Sequence, residues 1–361
     1  MPKNIVICCD GTGNEFGPTN SNVVKLFQVI VRGPAAQTGY YDPGVGTIAA
    51  PEAISRFMKW LTWKLGLAFG FGLKRNICEA YGYLMDHYEP GDSVFLFGFS
   101  RGAYTARALA AMLYKVGLLE RGADNQIPYA FRMFRQKTNF ALAAGFKKTF
   151  SRECPIHFVG VWDTVSTVGW IYSPVTFPFT AKNPSIAFFR HAISTDERRT
   201  HFRTNLFHPE PPQDCKQVWF AGVHSDVGGG YPEKESGLSK ITLQWMLREA
   251  KDCGLLVDQR RYEEIVLGIG LKEHAAPNPI GEQHDELTHW GWRLIEHLPR
   301  RYIDMHVQPP TPRWRWSPLS GFYLPRFMAE GACIHSSINE RMSRMPEYRP
   351  QNLPSSYTVE T

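Results

Sequence analysis

The chain lacks the marks of several protein classes. It has no long block of Lys or Arg, no zinc-finger spacing and no RNA-recognition pattern, and its formal net charge of +6 over 361 residues is spread along the sequence. That removes the case for nucleic-acid binding and leaves a mild preference for anionic surfaces such as phospholipid headgroups. The seven cysteines are scattered, odd in number and without metal-ligand spacing. They read as reduced core residues, not as a disulfide framework or a metal site. The N-terminal Met-Pro-Lys-Asn-Ile-Val-Ile-Cys-Cys-Asp has no secretory h-region and no small-residue cleavage site. The expectation is a cytoplasmic protein, with export by a signal-independent system left open. The apolar stretch Ile54 to Phe71 carries Arg56, Lys59 and Lys64, and is too short and too charged to span a bilayer. No internal repeat, low-complexity tract or clear linker interrupts the chain.

What is present is the composition of a globular protein with a sizeable core, 43% hydrophobic and 20% charged. β-type runs alternate with helical patterns, which predicts an α/β fold, a mostly parallel sheet with helices on both faces. Strands are expected at Ile5 to Cys9, Thr38 to Tyr41, Val94 to Phe97, Ile156 to Trp162 and Gln217 to Val223. Helices are expected at Leu73 to Tyr88, from Arg101 to Tyr114, and at Leu238 to Cys253, the last stopped by Gly254. Three spans do not fit a minimal sheet: 50–72, apolar and basic, suited to a lid or an interfacial helix; 167–212, rich in aromatics and prolines; and 274–325, rich in Trp, His and Pro. They read as insertions over the carboxyl edge of one domain covering 1–361.

The most informative run is Val94-Phe95-Leu96-Phe97-Gly98-Phe99-Ser100-Arg101-Gly102-Ala103. A buried-type strand runs straight into Gly-x-Ser-x-Gly, and a helix-compatible segment follows. This context predicts a nucleophile elbow, with Ser100 on a sharp turn and Gly98 and Gly102 needed because a Cβ would strike the neighbouring strand or helix. A serine nucleophile needs a base within reach, and the base needs an orienting carboxylate.

Asp163 ends the run His157 to Trp162, and His224 ends the run Val218 to Val223 and precedes Gly228-Gly229-Gly230. The order Ser100, Asp163, His224 is the hydrolase order. Asp226 competes for the role of acid and His335, past a last strand, for that of base. The loop Asp10-Gly11-Thr12-Gly13-Asn14 follows the first strand. Its Gly11 and Thr12 region and the N–H of Arg101 are the candidate oxyanion-hole donors, with Asp10 holding the loop. The mixed-charge run Arg190 to Arg199 reads as a salt-bridged scaffold.

Five ordered motifs then carry a family resemblance: Cys9 to Asn14, Gly98 to Ala103, Val161 to Val165, Arg190 to Arg199 and Gly222 to Tyr231. The chain resembles the α/β-hydrolase domain of unknown function related to the class-one phospholipase effectors of type VI secretion. The resemblance implies an α/β-hydrolase-like fold and a Ser-Asp-His triad that cleaves glycerophospholipids at an acyl ester. By motif the triad maps to Ser100, Asp163 and His224. The expectation is therefore a serine esterase acting on ester or lipid substrates with peripheral membrane contact, requiring no cofactor and no metal. A soluble small-ester or thioester hydrolase and an inactive hydrolase-fold scaffold are the alternatives.

Overall fold

The structure is a computed structural model that describes residues 2–11, 16–44, 67–165, 169–170, 173–174, 176–199, 202–270, 273–288, 300–304, 311–315 and 325–361. In chain order its main strands are β1 (Asn4–Cys9), β2 (Gln37–Asp42), β3 (Ser93–Phe99), β4 (Ile156–Trp162), β5 (Ile186–Ser194), β6 (Asp214–Phe220), β7 (Ala332–His335) and β8 (Tyr357–Glu360). The helices that pack on them are α1 (Asn22–Val29), α2 (Leu67–His87), α3 (Arg101–Val116), α4 (Ile127–Arg135), α5 (Phe140–Phe150), α6 (His224–Gly228), α7 (Gly237–Asp252) and α8 (Ser336–Arg344).

The eight strands form one sheet in the order β8-β7-β6-β5-β4-β3-β1-β2. Every pairing within it is parallel. Such a sheet must be covered on both faces, and the strands alternate accordingly. Ile5, Ile7, Val94 and Leu96 face the layer of α2, α3 and α4, whereas Val6, Cys8, Phe95 and Phe97 face α1 and α7. Fully buried aromatics such as Phe95, Phe97, Phe158 and Trp162 fill the second layer. Burial of each contributes roughly 1.5–3 kcal/mol.

This topology places the site. Strand β1 has β2 on one side and β3 on the other, so the loops leaving β1 and β3 diverge and open a crevice at their carboxyl ends. The loops after β4, β5 and β6 emerge along the same edge.

Two expected insertions change character. The span 167–212 contains β5, a nine-residue strand in the middle of the sheet. Its polarity disguised it: Arg190 and His191 lie within the strand, both buried, and Arg190 is neutralised by Asp214 at 2.9 Å and Glu249 at 2.6 Å. The expected lid at 50–72 falls outside the described residues up to 66, and from Leu67 the chain is already α2. Within 274–325 the described parts include an antiparallel pair, Arg300–Asp304 with Thr311–Arg315, that stands apart from the main sheet. Among the described residues no helix is long and apolar enough to cross a membrane.

Candidate active site

Ser100 sits between β3 and α3 with φ 58° and ψ −117°, a conformation that L-residues rarely adopt. Its N–H donates to Trp162 O at 3.0 Å, which ties the turn to the end of β4. A Cβ on Gly98 would lie 2.5 Å from Gly102 O, and one on Gly102 only 2.1 Å from Cys9 O. The strand, the helix and the end of β1 are thus drawn together more closely than any side chain allows. Ser100 itself is buried, at 8% exposure.

Asp163 follows β4 with a φ of 41°, its N–H donating to Ala192 O at 2.8 Å. His224 opens α6 just past the end of β6. Their side chains meet: His224 Nδ1 lies 2.5 Å from Asp163 Oδ2, with both residues buried. Complete burial alone would raise the Asp163 pKa, but the Arg326 guanidinium and the His224 hydrogen bond hold it far below the carboxylate range. Asp163 therefore only accepts. His224 must carry its proton on Nδ1, which leaves the Nε2 lone pair free of a proton in the neutral ring. Burial also lowers the His224 pKa, with the Asp163 hydrogen bond and charge opposing it, which favours the neutral ring. The imidazole is held between two rings, Phe99 at 4.6 Å and Phe202 at 4.7 Å. Because Phe99 precedes Ser100, this contact brings His224 alongside the elbow. Ser100 Oγ makes no hydrogen bond to His224 among the described residues, and catalytic contacts of this kind commonly tighten only around substrate.

Residues 3–249 match the family described as type VI secretion system phospholipase effector, Tle1-like, catalytic domain. The chain belongs to this family. It is also 39% identical over 228 residues to the uncharacterized protein YEL023C of Saccharomyces cerevisiae, a match over 58% of this chain and 33% of that one. The chain thus spans about a third of the length of this relative. Two solved structures are similar at lower identity. An uncharacterized protein from Pseudomonas aeruginosa gives a TM-score of 0.42 at 20% identity, covering 71% of this chain and 46% of that one. The Tle1 effector bound to the VgrG spike of the type 6 secretion system gives 0.39 at 19%, covering 66% and 53%.

In this Tle1-like domain the remaining sequence candidates lie as follows. Asp10 is buried at the end of β1 and accepts from Ser21 Oγ at 2.7 Å, Tyr41 Oη at 2.9 Å and Gly11 N at 2.6 Å. The Gly11 N–H thus donates to its neighbour's carboxylate, and Thr12 lies outside the described residues. Arg101 begins α3, so its N–H belongs to the first turn at the elbow, and burial lowers its guanidinium pKa to about 10. Asp226 accepts from Val223 N at 3.0 Å and from His284 Nδ1 at 2.7 Å. His335 caps α8, accepts from Ser337 N at 3.2 Å and stacks on Phe220 at 4.7 Å, its pKa lowered to about 4 by burial. Asp226 and His335 are not joined to each other. No group of three or more His, Cys, Asp or Glu side chains able to hold a metal ion occurs among the described residues.

Four contributors to the site were not anticipated as such. Arg326 binds Asp163 through both oxygens, at 2.5 and 2.9 Å. Ser194, at the end of β5, donates its N–H to Asp163 Oδ1 at 2.9 Å. Glu197 accepts the His224 N–H at 3.2 Å while pairing with Arg199 at 2.7 Å, and Phe202 supplies the second ring against His224. Ser194 and Glu197 lie in the run read as a scaffold, and the scaffold turns out to brace the histidine and its acid. Arg326 had no local signal: its partner is 163 residues away.

Proposed function

We propose that this domain is a serine hydrolase of carboxylic esters, with lipid acyl esters as its substrate class and Ser100, His224 and Asp163 as its triad. The observation that carries the reading is the pairing of His224 Nδ1 with Asp163, whose pKa Arg326 and His224 hold low, beside a serine on a strained strand-to-helix turn. In this mechanism Ser100 Oγ attacks the ester carbonyl as His224 Nε2 takes the hydroxyl proton. Asp163 stabilises the resulting imidazolium and keeps the ring in the required tautomer. The Arg101 N–H, at the start of α3, is the expected oxyanion donor, aided by the positive end of the helix. The C–O bond to the leaving group breaks as His224 returns the proton to the departing alkoxide. Water, deprotonated by His224 in turn, releases the acid and regenerates Ser100.

The lipid assignment is supported by family membership. A peripheral contact with a lipid surface follows from that substrate class, with the net charge of +6 favouring anionic headgroups. A fluorophosphonate probe tests the chemistry: Ser100 Oγ displaces fluoride and forms a stable Oγ–P bond. The expected result is labelling of the wild type and none of Ser100→Ala. Lack of wild-type labelling would favour a hydrolase-fold scaffold. Turnover that jumps when a short-chain ester passes into micelles supports the lipid assignment; equal rates on dissolved and micellar ester would point to a soluble small-ester hydrolase.

A further inference from the structure

Arg326 comes from a segment that lies beyond residues 3–249, the part of the chain that matches the family. It nevertheless reaches the centre of the site. Nη1 donates to Asp163 Oδ1 at 2.5 Å and to Ser194 Oγ and O at 2.7 and 3.2 Å. Nη2 donates to Asp163 Oδ2 at 2.9 Å and to Phe202 O. A two-pronged guanidinium fixes both the position and the plane of a carboxylate, which a point charge cannot do. The same residue thus anchors the acid beneath His224 and the backbone of the ring that packs against it.

The charges around His224 are matched in pairs. Asp163, at the end of β4, faces Arg326, and Glu197, after β5, faces Arg199. The elbow contributes the Phe99 ring, and Asp226, two residues along α6, is turned toward His284. The nearby His191 stays neutral, its pKa lowered to about 3 by burial and by the charge of Arg107. Two bare carboxylates beside a buried imidazole would hold it protonated at neutral pH, and a protonated histidine cannot take the serine proton.

We propose that Arg326 is a positioning residue of the hydrolase centre, aiming Asp163 at His224 Nδ1 and cancelling enough of its charge to keep His224 a free base at neutral pH. The proposal rests on the Ser100–His224–Asp163 reading given above.

The test is the rate of Ser100 labelling by a fluorophosphonate between pH 5 and 10, for wild type, Arg326→Gln and Arg326→Lys. Removing the guanidinium leaves the Asp163 charge beside His224 uncompensated, and a charge change at this range moves a neighbouring pKa by roughly 1–3 units. In Arg326→Gln the midpoint of the acid limb should rise by at least about one pH unit, and much of the lost rate should return at pH 9. Arg326→Lys keeps the charge without the fork. Its midpoint should stay near that of wild type while the plateau falls by on the order of 10- to 100-fold, the cost of a misplaced base. A folded Arg326→Gln protein with the wild-type midpoint and rate overturns the proposal. Should Arg326→Gln fail to fold, Arg326→Lys at the wild-type rate across the whole range does the same. Wild-type protein that does not label at Ser100 would sink the hydrolase reading itself, a result separable from either.

Discussion

The Phe99 ring occupies the place where Gly228 would carry a side chain: a Cβ there would fall 1.9 Å from Phe99 Cε2. Residue 228 closes the short helix that His224 opens, and Phe99 immediately precedes Ser100. The contact therefore sets how close the base-bearing helix comes to the elbow. Gly228→Ala should force the ring aside at a cost of about 1–3 kcal/mol, the usual range for overpacking. It should also slow Ser100 labelling, because the displaced ring is one of the two that hold His224. Thermal denaturation and labelling rate should both recover in part when Phe99→Leu is added. Additive losses in the double variant would show that the two residues are not coupled.

Asp163 and Asp226 separate as candidates for the acid by what each one holds. Asp163→Asn should lower labelling on the order of 10⁴-fold, since an amide cannot enforce the His224 tautomer. It should also destabilise the fold by about 3 kcal/mol, because the buried Arg326 loses its counter-charge. Asp226→Asn retains an acceptor for Val223 N and weakens mainly the contact with His284. Its expected cost is about 1 kcal/mol and less than about tenfold in rate. The reverse ranking in a labelling assay would hand the acid's role to Asp226.

How far these relationships could be read in the sequence depended on the range of the interactions. Strands β1, β3, β4 and β6 announce themselves as apolar runs that end at Gly, Asp or His. The elbow is legible because all its constraints lie within five residues, Gly98 to Gly102. Strand β5 did not announce itself, because the charge of Arg190 is compensated by Glu249, 59 residues away. Strand β8 is only four residues long and gains its place by pairing with β7. The same limit hid Arg326. An arginine after a proline looks like any surface cation until the fold brings it under a carboxylate. The five motifs that carried the family resemblance covered Ser100, Asp163 and His224, and through the run 190–199 also Ser194 and Glu197, but not Phe202 or Arg326.

A pH dependence follows from Asp42. Its Oδ1 accepts from Asn76 and from Gly44 N, while Oδ2 is buried without a partner among the described residues. Burial raises its pKa to about 6, the Gly44 hydrogen bond opposing and the charges of Glu79 and Asp10 adding. The folded protein therefore holds a proton between about pH 4 and 6 that the unfolded chain, titrating near 3.9, has already released. This group lowers stability as pH rises through that window, and the penalty is complete above pH 6. Asp42→Asn, which keeps the shape and removes the charge, should be more stable than wild type at pH 7.5. The advantage should vanish by pH 4. Urea denaturation at the two pH values measures it, and an equal difference at both would show that Asp42 does not titrate in this way.

The segment after the family match should prove indispensable to the fold as well as to the chemistry. Strand β7 pairs with β6 through Val218–Cys333 and Trp219–Ile334, and Ile334 and Ile338 are fully buried against the α1/α7 layer. Lys216 on β6 also reaches Glu360 on β8 at 2.8 Å. A chain ending at 324 would leave β6 as a bare parallel edge, with its backbone donors and acceptors unpaired and apolar side chains uncovered, the usual prelude to aggregation. It would also leave Asp163 without Arg326. The expected outcome is insoluble protein or, where soluble protein is recovered, a loss of cooperative melting and no labelling at Ser100. Size-exclusion chromatography and probe labelling of the truncated and full chains provide the comparison. A monomeric truncated chain that labels at the full-length rate would mean that residues 3–249 carry the centre by themselves.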